Sequence, residues 1–170
     1  MGAGLCQYQP PTPEALQDPS RGPPGGFGSV RKPEQKLWDW LRARMDGHWF
    51  HERIENRLQP NAPDLYISHP ATGPMWIELK VLPAWPARRG TPIVLPHWTP
   101  GQRNWMRTHR IWGGKACLLL WVIETDELFF IDTPDWPTIT RSQMTERFFN
   151  TSRRNCSTDT ILDALWGQVV

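Results

Sequence analysis

The chain reads as an α/β protein: a mixed β-sheet core flanked by helices in the order α-β-β-β-α-β-β, with a C-terminal helical tail. Three features predict this. Leu37, Leu41 and Met45 recur at helical spacing behind Pro33. Two apolar runs, Leu65-Tyr66-Ile67 and Trp76 to Leu82, flank a turn rich in Pro and Gly and form a candidate hairpin. Lys115 to Ile123 is apolar at almost every position, the pattern of a central strand covered on both faces.

Residues 1 to about 30 hold Pro10, Pro11, Pro13, Pro19, Pro23, Pro24, Gly25 and Gly26 and almost no branched apolar residue. Such a tract buries too little to fold alone, so a flexible tail is expected over 1–30 and a folded domain over 31–170. Pro33 suits the first turn of a helix running to about Met45, with Trp40 helping its apolar stripe. Glu34, in that first turn, complements the helix dipole and also stands at the end of the inward face. His48 to Asn56 reads as the first strand, with Phe50 and Ile54 expected to face the core. Trp49, His51, Arg53 and Glu55 then share the other face, and Glu52 falls on the core side, where an acid is awkward.

Ser68 to Pro74 is the turn of the hairpin. In the strand that follows, Trp76, Glu78 and Lys80 share one face while Ile77, Leu79 and Val81 share the other. Val81 to Trp98 is too long for a tight turn and carries Pro83, Pro86, Arg88, Arg89, Pro92 and Pro96; long loops often bind. Arg88-Arg89 beside Gly90 suits a phosphate backbone, with an exposed, soluble loop as the alternative. Thr99 to about Trp112 is expected to be helical, with Thr99 as cap, Pro100 in the first turn and Gln102 where a capping box expects Glu or Gln. Arg103, Arg107 and Arg110, at i, i+4 and i+7, make a basic stripe that is either a solvated face or a rail for DNA. Gly113-Gly114 ends the helix. After the apolar strand, Leu128 to Ile131 forms another strand, and Arg141 to Phe149 and Thr158 to Trp166 read as helices.

The length of 170 residues fits one domain with a real core. A net charge of +2 is too small to name a nucleic-acid partner, although 15 of the 19 basic residues are Arg, whose forks match phosphates. A GC-rich genome gives the same bias. The 11 tryptophans are expected in the core and at its margins, with one or two free to stack on bases. Cys6, Cys117 and Cys156 include no C-x-x-C pair, which argues against structural zinc, and Cys117 is expected to be a buried thiol. No apolar run approaches the roughly 20 residues of a membrane helix and no signal peptide is visible, so a cytoplasmic setting is expected. The five histidines form no H-E-x-x-H, and neither a G-x-S-x-G elbow nor a P-loop is present.

What remains is the order Pro63-Asp64, turn, Glu78-Leu79-Lys80. Two carboxylates and a lysine, brought together by a hairpin, can hold a divalent cation and activate water for phosphodiester cleavage. Hard oxygen donors suit Mg²⁺, with Mn²⁺ as a substitute. Asp64 and Glu78 are the expected metal-binding side chains, helped by the Leu79 backbone carbonyl, and Lys80 would orient the water or stabilise developing charge. A plain Lys80–Glu78 ion pair is the structural alternative.

These residues resemble the PD-(D/E)XK nuclease superfamily, with its restriction-endonuclease-like fold, over roughly Pro33 to Asp132. Asn61-Ala62-Pro63-Asp64 is similar to the G-x-P-D turn of phage and VRR-NUC-type members; Asn61 stands in for glycine, and Asn tolerates the left-handed conformation. Thr99-Pro100-Gly101-Gln102 with Trp105 resembles the Gln-bearing helix of that family. The resemblance implies a metal-dependent DNA endonuclease leaving 5′-phosphate and 3′-hydroxyl ends, of viral or mobile-element origin and so placed in a host-cell cytoplasm. It assigns a metal-proximal role to Glu34, a site-facing role to Gln102 and an assisting role to Glu52 or Glu55, whose alternative is a solvated strand face. Likeness to Holliday-junction-resolvase members implies branched DNA as substrate and a homodimer that cuts symmetrically. Arg88, Arg89, Arg103, Arg107 and Arg110 are then the expected DNA contacts. A nuclease-fold module that binds without cutting, and a restriction-type or single-strand-specific nuclease, are the competing readings.

Overall fold

Proline and threonine set where the helices begin. The computed structural model describes residues 32–54, 61–132 and 139–166; the N-terminal tract of 1–30 and Glu55 lie outside the described residues. Helix α1 (Pro33–Met45) starts on Pro33, whose fixed φ suits the first turn, and buries Leu37, Trp38, Leu41 and Met45. Helix α2 (Pro100–Ile111) is opened by a capping box in which Thr99 and Gln102 each satisfy the other's backbone N–H. It closes on Gly113, whose φ of 81° is the left-handed turn that glycine adopts without a Cβ clash. Gly113 N–H donates to the Arg110 carbonyl and Gly114 N–H to that of His109, a Schellman closure.

Strands β1 (Phe50–Arg53), β2 (Leu65–His69), β3 (Gly73–Leu82), β4 (Ala116–Val122), β5 (Glu127–Ile131) and β6 (Phe149–Ser152) form one sheet in sequence order. All neighbours are antiparallel except β3 and β4, which α2 joins as a parallel pair. Helix α3 (Arg141–Arg147) precedes β6, and α4 (Thr158–Trp166) ends the described chain. Every residue of β4 is buried, as its unbroken apolar run requires of a central strand.

The sheet separates two apolar layers. On one side α1 and α4 cover Ile67, Ile77, Leu79, Leu119 and Phe130. On the other, Leu118, Leu120 and Phe129 pack with Met144 of α3 and with Trp85, Ile93 and Leu95 of the β3–α2 connection. That connection is therefore seated on the sheet, and Trp85 Nε1 donates to Glu127 Oε2 at 2.8 Å. Arg88 and Arg89 are exposed at its outer turn. Among the described residues no helix is long and apolar enough to cross a membrane.

Two expectations need correction. At β1 the inward set is His51 and Arg53 together with Trp49 just before the strand, whereas Phe50 is 59% exposed. Only one face of β1 meets α1, where Trp38 lies edge-on to His51, and Phe50 instead lies beside Tyr66 on the far face. The segment to Phe149 is not all helix: α3 stops at Arg147 and Phe149 begins an edge strand paired to β5. Among the described non-glycine residues, His97 and Asp126 take the left-handed conformation.

Candidate active site

Alternation along β3 turns Trp76, Glu78 and Lys80 toward α2 and Met75, Ile77, Leu79 and Val81 toward α1. Glu78 has no exposed surface and Lys80 only 6%. Buried charges persist when they are paired, and Lys80 Nζ donates to Glu78 Oε1 at 2.6 Å.

Asp64 stands one residue before β2. Leu65 is registered with Ile77, so Asp64 falls beside the Glu78–Leu79 step just where the ladder ends. Its Oδ2 accepts the Leu79 N–H at 2.8 Å, replacing the partner that a longer β2 would have provided. The N–H and C=O of one strand residue point to the same side, so the Leu79 carbonyl also faces Asp64.

Gln102 arrives from the first turn of α2 and works at both ends. Its Oε1 accepts the Thr99 N–H at 3.1 Å, completing the cap, while its Nε2 donates to Glu78 Oε1 at 2.6 Å. The capping bond fixes which end of the amide is oxygen, so the NH₂ must point at the carboxylate. Gln102 thus completes the helix cap and also contacts Glu78.

Glu78 Oε1 thus receives two donors, whereas Oε2 is buried with no protein partner. Burial, then the charge of Asp64, pushes the Glu78 carboxyl up to about 7 against the pull of Lys80. Burial also raises Asp64, opposed by the Leu79 N–H, Lys80 and Arg53 and reinforced by Glu34. The first-turn acid of α1 is therefore close enough for its charge to be felt at Asp64. Arg53 is held by a hydrogen bond to Gln35.

Two adjoining carboxylates, each resisting ionisation, and an unpartnered buried oxygen suit a divalent cation, which would favour the ionised form of both. Among the described residues no three or more His, Cys, Asp or Glu side chains cluster as metal ligands. A cation here would rest on Asp64, Glu78, the Leu79 carbonyl and water, and Mg²⁺ habitually keeps several waters.

The remaining predicted residues are dispersed. Glu52 is exposed on β1. Arg103 is half-buried, and Arg107 is exposed and donates to Asn104 Oδ1 at 2.9 Å. Arg110 donates to the Ala116 carbonyl at 3.2 Å, bracing the far end of α2 against β4. Sequence reasoning missed Trp98, whose ring lies 5.9 Å from Lys80 Nζ and supplies a cation–π contact above the ammonium. Its place immediately before the Thr99-Pro100 cap was the available signal.

No protein-family model matches the sequence, and no curated protein matches it. Seven solved chains match in structure. One is Hjc, a Holliday junction resolvase from the archaeal hyperthermophile Archaeoglobus fulgidus, with 16% identity and a TM-score of 0.47 over 66% of this chain and 92% of that one.

Proposed function

We propose that this chain is a divalent-cation-dependent endodeoxyribonuclease, with Mg²⁺ as cofactor and Mn²⁺ as substitute, that acts as a homodimer on branched DNA. The observation that carries the nuclease reading is the convergence of Asp64, Glu78, Lys80 and Gln102 at the end of the β2–β3 ladder, with Glu78 Oε2 buried and unpartnered. The branched substrate follows from the chain's size, its single-domain form and its likeness to junction-resolving nucleases, and the dimer from the need to cut two strands symmetrically.

When bound, a divalent cation neutralises phosphate charge and makes neighbouring water more acidic. Asp64, Glu78 and the Leu79 carbonyl would hold it. Gln102 and Lys80 lock one oxygen of Glu78 so that the other keeps its direction. Lys80, fixed by that same oxygen and roofed by Trp98, offers its remaining N–H donors to the attacking water or to the phosphate oxygen that gains charge. Burial of Glu78 and Lys80 leaves little bulk water to screen these interactions.

The test is cleavage of a labelled four-way junction and a matched linear duplex in Mg²⁺, Mn²⁺ or EDTA. Cutting is expected with either metal, absent in EDTA, and reduced at least a hundredfold by Lys80→Ala, the order of effect of one positioned electrostatic donor. Junction preference supports the resolvase assignment. Binding with no cutting under any metal would leave a non-catalytic DNA-binding module.

A further inference from the structure

Beside the carboxylates, α2 carries an aromatic array that the hydrolytic chemistry does not use. Tyr66 lies 5.3 Å from Trp76, Trp76 lies 5.2 Å from Trp105, and Trp105 stacks on His109 at 5.0 Å and 22°. Trp105 and His109 line an open groove of about 470 Å³ together with Asn61, Asn104, Thr108 and Trp112. Trp112 is 85% exposed. An indole carries one of the largest apolar surfaces of any side chain, and leaving it in water forgoes the stabilisation that burial gives.

The groove walls are seated by close approach. A Cβ on Gly101 would come within 2.1 Å of Asn61 Oδ1, and one on Gly114 within 2.1 Å of His109 Nε2. A Cβ at either glycine would push these two polar side chains out of their places. Burial lowers the pKa of His109, which favours the neutral ring that stacks without a charge to solvate.

One end of the groove adjoins the site, and Trp112, ten residues beyond Gln102, stands about 15 Å along α2. Trp76 precedes Glu78 by two residues on the same face of β3, about 7 Å along the strand. Trp105 follows Gln102 by three residues on α2, one helical turn from the side chain that grips Glu78. Arg103 and Arg107 lie on the same helix.

We propose that this groove binds an unpaired nucleobase of the DNA strand whose phosphate sits at Glu78 and Lys80. The location of that phosphate rests on the nuclease reading. A nucleobase has an aromatic face for Trp112 and His109 and an edge of donors and acceptors for Asn61, Asn104 and Thr108. An apolar partner surface would instead bury those polar groups without bonds. A base inside a duplex is stacked on both sides and must first be unstacked, so the groove selects DNA with unpaired bases within a few nucleotides of the cleavage point, as at a branch or flap.

The experiment measures binding of the full chain in EDTA, where cutting is not read, to a labelled single-stranded oligonucleotide and to the same sequence as a blunt duplex. Wild type is expected to prefer the single strand. Trp112→Ala is expected to weaken single-strand binding about tenfold, as loss of one base–aromatic stack does, with duplex binding unchanged. Trp112→Phe is expected to restore most of the loss. A 2-aminopurine in the single strand gives an independent reading on the unmutated protein, since stacking on the groove should quench it. Equal losses on both DNAs, or no loss on either, would overturn the assignment. So would a Trp112→Ala protein that sediments as a smaller species but binds single strands normally, because a second copy would then cover the groove. A single-strand preference lost with Trp112→Ala, in a protein that cuts no DNA in Mg²⁺, would retain the groove and remove the nuclease.

Discussion

Glu78 combines features that a carboxyl rarely tolerates together: no exposed surface, a second carboxylate beside it and one oxygen without a partner. Its folded-state pKa of about 7 exceeds the ordinary 4.5, so the native state binds this proton more tightly than the unfolded state. The resulting stabilisation is complete below about 4.5 and is lost as the pH rises through about 7; the raised Asp64 adds in the same direction. The amount is on the order of 3 kcal/mol for Glu78. In EDTA the melting temperature should therefore fall between pH 5 and 8, and Glu78→Gln should flatten that slope. Mg²⁺ should restore stability more at pH 8 than at pH 5.5, where protons compete for the same oxygens. Thermal melts across this range decide the matter, and a flat profile in EDTA would rule out the buried, unsatisfied carboxyl. Asp64, Glu78 and Lys80 were legible in the sequence because their order and the period-2 alternation alone bring them together. Trp98 was not, since its distance to Lys80 depends on how a long loop folds back onto the sheet.

At the scale of elements, the start of α2 is both a helix cap and a wall of the site, and the two roles can be separated. Thr99 Oγ1 accepts the Gln102 N–H at 3.1 Å, while the Thr99 backbone N–H holds the Gln102 side chain. Thr99→Ala removes only the first bond, so it should cost about 1 kcal/mol of stability and leave cleavage nearly intact. Gln102→Ala removes the second bond and the grip on Glu78, so it should cost similar stability and also reduce cleavage at least tenfold. Chemical denaturation and single-turnover cleavage of the two variants test this; equal activity in both would mean that Gln102 is a cap alone. The elements themselves were readable wherever hydrophobic period and punctuation agree, as in α1, α2 and β4. They were not in β1, where Trp49, His51 and Phe50 give both faces an aromatic and only the position of α1 decides which is inward. Strand β6 was hidden because Phe149-Asn150-Thr151-Ser152 is short, polar and defined by its pairing with β5 rather than by its own pattern.

Over the whole molecule, a net charge of +2 generates little long-range attraction for DNA, so the binding proposed above would have to come from cations placed locally. The fold distributes its candidates unequally. Arg88 and Arg89 project from a connection anchored on the sheet by buried Trp85, Ile93 and Leu95, which makes them exposed yet positioned. Arg110, in contrast, is engaged with the Ala116 carbonyl on the opposite end of α2 from Gln102. Each Lys or Arg that meets a phosphate displaces condensed counterions and adds about 0.9 to the steepness of log affinity against log salt on duplex DNA. Replacing both Arg88 and Arg89 with Ala should therefore make that slope shallower by about 2, while Arg110→Ala should leave it unchanged and lower thermal stability instead. Affinity measured for a duplex-armed junction in EDTA, at four or five salt concentrations, separates these outcomes. An unchanged slope in the double variant would place the loop away from the DNA and move the phosphate track onto Arg103 and Arg107 of the same helix that carries Gln102 to the site.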